Sequence, residues 1–336
     1  MREGLRIGLV GATGLLGREV IEVLDAERYP LGALQLFAGE ASLGEEVEFR
    51  GELLDVQMSV EHLSGLDALL VCTPAAVALD WVRIALRSEV PCIDCSGALA
   101  SSAEVPMAMA SLGSYEELLG VPLISSPPGT GLAWAPILAT VQREWGLKRV
   151  LGTILHSAST AGRGGIQVLS ETTLALLNQR GESEAPVDDF APKPFECFAH
   201  GATGQGEKST DAEAEATLLN VLRRVLGPNV AVAATSVQVP TFAGQGATLA
   251  LETEKACSPD EAAQIFASAA GVDLVESGRP VGTRESVGGE RIQISRLRAD
   301  PTCEAGRGLL LWLTADPLRL AARNAVCLLD ARFPPC

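Results

Sequence analysis

The chain has 336 residues, of which 47% are hydrophobic and 20% charged, and its formal net charge is −16. That length accommodates two domains, each with its own core, and no apolar run reaches the ~18 residues that a membrane span needs. The negative balance argues against nucleic acid and anionic membrane surfaces as partners.

The opening, MREGLRIGLVGATG, runs straight into a strand and a Gly-rich turn, so no signal peptide is expected. Leu5 to Val10 is an apolar run read as a buried strand. Gly11, Gly14 and Gly17 then punctuate a turn into a helix with apolar residues at Val20, Ile21 and Leu24. LGALQLFAG is the next strand, and LDALLVC, Leu66 to Cys72, is a third, followed by the helix AAVALDWVRIALRS. PCIDCSG and VPLISS complete an alternation that implies a parallel, doubly wound α/β sheet of Rossmann type.

From Leu132 the pattern changes. The helix LAWAPILATVQREW leads into a strand, Arg149 to Ser157, and a helix from Gly164 to Gln179. GESEAPVDDFAPKPF reads as a polar loop and Asp211 to Leu226 as a helix. The strands AVAATSVQVP and GATLALET, a helix from Pro259 to Ala270, and the strands RIQISRLRAD and GLLLWLTAD give this half an α+β order. Pro317 to Phe333 is a final amphipathic helix. These elements divide the chain into a dinucleotide-binding domain, 1–130, completed by the helix at 316–333, and an α+β domain, 131–315.

Gly11-Ala12-Thr13-Gly14-Leu15-Leu16-Gly17 is a GxxGxxG loop at the first strand–helix junction. Glycines there let the backbone approach a pyrophosphate, and the helix N-terminus favours the anion. The alternative is a close-packed turn without ligand. The residues expected at a dinucleotide are Gly11, Thr13, Gly14, Leu15, Gly17 and, at the crevice, Thr73.

Five stretches now point one way. They are GATGLLG, STAGRGGIQVLSE (Ser159 to Glu171), VQVPTFAGQG (Val237 to Gly246), RIQISRLRAD and ADPLRLAARNAVCLLD (Ala315 to Asp330). In this order they resemble the aspartate-semialdehyde dehydrogenase family, whose fold and α+β dimerisation domain the resemblance implies for almost the whole chain. The family's reaction uses a Cys thiolate on the aldehyde, hydride transfer to NADP, and phosphate to cleave the thioester. Those roles demand a soft nucleophile, a proton shuttle and fork-shaped cations for oxyanions.

The matching positions depart from that chemistry. Where the family has its Cys, the sequence reads Pro127-Pro128-Gly129-Thr130-Gly131, so Gly129 replaces the nucleophile. The family's His aligns with Gln245, which cannot carry a proton at neutral pH. Its arginines align with Gln238 and Ala100, and its phosphate-binding Lys falls near Glu215. In the segment that meets the 2′-phosphate of NADP, Ala41 replaces Arg and Glu45 replaces Lys, which disfavours NADP relative to NAD. The Asn on the nicotinamide side is Pro317, while Asp316 and Arg319 remain. The resemblance therefore implies a paralogue similar to the Usg-type proteins, without the parent activity. Its expected use is as a dinucleotide-fold binding or assembly protein and a homodimer. The alternative is an NAD(P)-dependent oxidoreductase of the family, in amino-acid biosynthesis, with altered or residual activity.

Other constellations carry less. Cys92 and Cys95 form a CxxC within a strand, so their thiols are expected on opposite faces rather than as a redox pair. Cys72, at a strand end, is the best candidate for a substitute thiol. The histidines 62, 156 and 200 lack metal-ligand spacing, so no metal is expected. His156 is placed at the substrate cleft or as a hydrogen-bonded structural residue. Arg163 and Arg298 could face an anion or serve as ion-pair partners. The eight cysteines are scattered, several in apolar runs, which suits a reducing, cytoplasmic setting.

Overall fold

A computed structural model describes residues 4–58, 63–113, 118–178, 191–199, 210–276 and 278–333. It divides into two units, Met1–Leu132 with Leu318–Cys336, and Ala133–Pro317.

The first unit opens with β1 (Leu5–Val10), α1 (Leu15–Ala26) and β2 (Leu31–Phe37). A hairpin follows, β3 (Glu46–Phe49) and β4 (Glu52–Gln57), in addition to the elements expected from sequence. Its signal is present in the alternation of Val47 and Phe49, buried, with exposed Glu46 and Glu48, and in the Arg50-Gly51 turn. Then come β5 (Ala68–Val71), α2 (Ala75–Arg87), β6 (Cys92–Asp94) and β7 (Leu123–Ser125). The sheet order is β3-β4-β2-β1-β5-β6-β7, with every pair parallel except the hairpin. Strand order reverses around β1, so the C-terminal ends of β1 and β5 form the switch point where such sheets bind ligands.

The two faces of this sheet carry separate cores. Ile7, Leu9, Leu70 and Ile93 pack with α1 and with Ala322, Ala325 and Leu329 of the last helix, α7 (Pro317–Arg332). Val10, Leu69, Val71 and Cys92 pack with Ala78, Trp81 and Ala85 of α2. Successive side chains of a strand alternate in direction, and this is why β5, buried on both faces, reads as an uninterrupted apolar run.

Helix α3 (Gly129–Trp145) starts three residues earlier than the apolar pattern suggests, because the pair Pro127-Pro128 presets its first turn. The second unit continues with β8 (Leu147–His156), α4 (Gly162–Leu177), α5 (Thr210–Leu226), β9 (Ala231–Gln238) and β10 (Gln245–Thr253). Next are α6 (Pro259–Ser268), β11 (Val272–Leu274), β12 (Ile292–Ala299) and β13 (Gly308–Ala315). The short β11 has too few residues to show a period and was not expected. The sheet is mixed, in the order β11-β12-β13-β10-β8-β9. On one face Trp134 of α3 lies over Gly152, where an added Cβ would stand 2.2 Å from the indole. On the other face Leu151, Thr248, Leu310 and Trp312 line an uncovered groove with Arg296 and Arg298. His62, His200, Gln179 and most of the loop expected at 181–195 lie outside the described residues. No helix among the described residues is long and apolar enough to cross a membrane.

Candidate functional site

The glycine loop leaves β1 at the switch point. Gly11 takes φ +80°, and a Cβ there would meet the Cys72 carbonyl oxygen at 2.5 Å. At Gly17 a Cβ would stand 2.2 Å from the Gly11 oxygen, so α1 rests directly on the loop. These two glycines are therefore fixed by packing of the chain on itself. Gly14 differs: its Cβ would approach only the Gly11 oxygen, at 3.2 Å. Gly14 also precedes α1 as a cap residue with no side-chain hydrogen bond, leaving the helix N-terminus open. Beside Gly11, Thr73 Oγ1 is buried without a hydrogen-bond partner among the described residues. An open helix end and an orphaned hydroxyl at the switch point have the chemistry to receive an anionic group.

Beyond β2 the chain folds back on this loop. Gly11 and Ala12 both donate to the Phe37 carbonyl, at 2.8 and 3.3 Å. The Thr13 and Ser42 hydroxyls are 2.8 Å apart. Ala41 is exposed, and Glu45 lies 3.5 Å from the guanidinium of Arg18. Nothing in the sequence marks Arg18, because an exposed charge on a helix is ordinarily a solvated one.

The turn after β7 carries Ser125, Ser126, Pro127, Pro128 and Gly129, with Gly129 as the first residue of α3. Asn324 of α7, buried, anchors this edge. Its Oδ1 accepts from the Ala110 amide at 2.6 Å, and its Nδ2 donates to Ala108 O at 3.1 Å and to Ser126 Oγ at 2.8 Å. Among the neighbouring positions, Ala100 is buried in the turn after β6. Asp94, also buried, uses Oδ1 to accept from the Ser96 amide and hydroxyl at 3.0 and 2.6 Å. Burial raises its carboxyl above the ordinary range, against the opposing pull of the Ser96 and Leu99 hydrogen bonds.

In the second unit the aligned positions converge on one imidazole. His156 ends β8 and is buried. Parallel pairing puts Gln238 of β9 in register with it, and antiparallel pairing brings the start of β10 alongside. Gln245 Nε2 lies 3.3 Å from His156 Nδ1, and Ser236 Oγ lies 3.3 Å from His156 Nε2. Gln238 Nε2 donates to the His156 carbonyl at 3.0 Å. Glu215 Oε1 accepts from the Ser236 amide at 2.6 Å, so its carboxylate fixes the backbone of β9. The buried imidazole is surrounded by hydroxyl and amide groups; Thr160 Oγ1 lies 3.5 Å from its Nδ1, and the hydroxyls of Ser157 and Ser159, next along the chain, are 2.9 Å apart. His156 is thus a hydrogen-bonded hub, and the sequence alone gave no reason to pair it with Gln238 and Gln245, 82 and 89 positions away.

The remaining candidates have structural partners. Arg319, at the start of α7, faces Glu19 and Glu22 of α1 at 3.5 and 3.8 Å. Asp316 Oδ2 accepts from the Gly288 amide at 2.7 Å, just before Pro317. Arg163 is exposed on the first turn of α4, and Arg298 lies on the open sheet face, its Nη1 donating to Arg296 O at 2.9 Å. Cys92 and Cys95 belong to opposite cores of the first sheet. Cys72 shares its face with Cys95, and the hydrogen bond between them, with burial, raises Cys95 well above the usual thiol range. None of the seven described cysteines is in a disulfide. Among the described residues no three His, Cys, Asp or Glu side chains gather as a metal site.

Residues 6–118 match the family of semialdehyde dehydrogenase NAD-binding domains, and residues 138–320 match that of semialdehyde dehydrogenase dimerisation domains. The aspartate-semialdehyde dehydrogenase of Corynebacterium glutamicum is 28% identical over 333 residues, covering 94% of this chain and 95% of its own. A USG-1 protein homolog of Azotobacter vinelandii is 29% identical over 339 residues, covering 98% of each. Among solved structures, aspartate semialdehyde dehydrogenase II from Vibrio cholerae superposes with a TM-score of 0.87 at 24% identity, over 97% of this chain and 98% of that one.

Proposed function

This chain belongs to the semialdehyde dehydrogenase family, and we propose that within it the protein keeps the dinucleotide fold and a paired assembly but has lost the parent reaction. One observation carries the reading. Gln245 and Gln238, where the resemblance expects an acid–base His and a substrate-binding Arg, both turn their amides onto His156. An amide can orient a group but moves no proton at neutral pH. Gly129 offers no side chain to attack a carbonyl, and Ala100 and Glu215 offer no cation to an anionic substrate. Loss of a covalent nucleophile alone lowers a rate by about five or six powers of ten.

The retained parts favour binding. Gly14, the open end of α1 and the orphaned Thr73 hydroxyl suit a dinucleotide, and Ala41 with Glu45 favours NAD over NADP. The uncovered face around Leu151, Leu310 and Trp312 suits a second copy of the chain, which would make a homodimer. Buried cysteines outside disulfides, as at Cys72, Cys92, Cys95 and Cys257, accord with a cytoplasmic location.

The test is turnover of L-aspartate 4-semialdehyde with phosphate and NAD or NADP. The expected result is no phosphate-dependent reduction of either dinucleotide above background, and none after Gly129→Cys alone. Turnover by the natural chain overturns the reading. A second reading, hydride transfer without a covalent intermediate, is favoured by the same glycine loop. It requires dinucleotide binding and a saturable dependence on some small molecule, and it fails if neither dinucleotide binds.

A further inference from the structure

The rim of the glycine loop holds a charge arrangement that goes beyond the presence of a dinucleotide, although it rests on that reading. The loop and the end of β2 are locked together by the two amide bonds to Phe37 O. The residues just past β2 are therefore set against the loop, at the place where folds of this class meet the adenosine ribose. Glu40 is the first carboxylate past β2 and is exposed. The turn Glu40–Ser42 is pinned to the loop by the Thr13–Ser42 hydroxyl pair.

Into this rim projects one cation from the first turns of α1. Arg18 donates from Nε to Thr13 O at 3.2 Å, which holds its guanidinium alongside the loop. Its Nη2 lies 3.5 Å from Glu45 Oε2. A guanidinium placed there is suited to a ribose 2′-phosphate, because its fork matches phosphate oxygens in pairs. Glu45 stands against one arm of that fork, at Nη2, and adds its own negative charge.

We propose that Arg18 is a latent 2′-phosphate site and that Glu45 holds it closed, so that the pocket takes a dinucleotide with an unphosphorylated ribose. Both side chains are partly exposed, at 47% and 33%. Their ion pair therefore contributes little to stability, and its effect lies in what it denies to an incoming dianion. With Glu45 in place, a 2′-phosphate meets a neutralised Arg18 and two carboxylates, Glu40 and Glu45. With Glu45 removed, it meets an uncompensated guanidinium.

The experiment is calorimetric titration of the full chain, of Glu45→Gln and of Glu45→Gln with Arg18→Leu, each with NAD and with NADP at low salt. The natural chain is expected to bind NAD at least about tenfold more tightly than NADP. Glu45→Gln is expected to tighten NADP about fivefold or more while leaving NAD within about twofold. Adding Arg18→Leu should erase that gain, and thermal melts of the variants should match the natural chain. If NAD binds but NADP is unchanged in Glu45→Gln, or the gain survives Arg18→Leu, the latch is refuted and the dinucleotide reading stands. If the natural chain binds neither dinucleotide, both fall.

Discussion

At the β1–α1 turn, backbone contacts decide the residues. Gly11 and Gly17 are required by carbonyl oxygens at 2.5 and 2.2 Å, whatever the loop binds. Around His156, in the other unit, side chains decide one another: Ser236, Gln238 and Gln245 are selected by what a buried imidazole and its carbonyl can accept or donate. The first region can keep its motif after its ligand is gone. The second can change its chemistry without moving a strand. A glycine motif is therefore evidence of a fold, and the side chains at the aligned positions are evidence of an activity.

The contrast breaks most readily at Gly17. Gly17→Ala drives a Cβ into the rigid backbone of Gly11 and Ala12 and is expected to destabilise the protein by about 3 kcal/mol, read as a lowered denaturation midpoint. Gly14→Ala, with a single contact at 3.2 Å, is expected to cost under about 1 kcal/mol and to weaken dinucleotide binding instead. Equal melting of the two variants would remove the distinction between packing and ligand glycines.

Next in size is Asn324→Ala. It strips a partner from the Ala110 amide, the Ala108 carbonyl and the Ser126 hydroxyl at once, for an expected loss of about 2 to 3 kcal/mol. A loss under about 0.5 kcal/mol in urea would mean that α7 does not hold the turn before Gly129. In the second unit, His156→Leu leaves Ser236 Oγ and the Gln245 amide facing an apolar group and should cost about 2 kcal/mol. If His156 instead serves a reaction, the variant would melt normally and lose turnover.

The smallest effect is electrostatic. Burial raises the Asp94 carboxyl, so the folded protein binds that proton more tightly than the unfolded chain. Stability from this group falls as pH rises from the ordinary carboxylate range through the raised value, then levels off. Asp94→Asn keeps an oxygen for Ser96 and removes the slope. Midpoints of denaturation between about pH 4 and pH 8 should therefore flatten in the variant, and an unchanged profile would show that Asp94 ionises in the fold as it does in the unfolded chain.

Periodicity and punctuation made most elements legible. Uninterrupted apolar runs gave the central strands, because a strand buried on both faces has no polar positions to alternate with. The hairpin at Glu46–Gln57 was legible in its alternation but short and charged, and β11 was too short to carry a period. The resemblance marked Gly129, Gln238, Gln245 and Ala100 as altered. It could not say what the two glutamines do, because their partner is more than eighty positions away and becomes adjacent only through the β8–β9 and β8–β10 registers.

The sequence by itself determined the class of fold, the glycine turn and a residue without a side chain at position 129, since each depends on local residue identity or local period. Only the tertiary structure decided that Arg18 faces Glu45, that Asn324 ties α7 to the edge beside β7, and that His156 gathers the glutamines. Those pairings arise from strand register and helix docking, and both are settled by burial of apolar faces distributed over a whole unit rather than by any neighbouring stretch of chain.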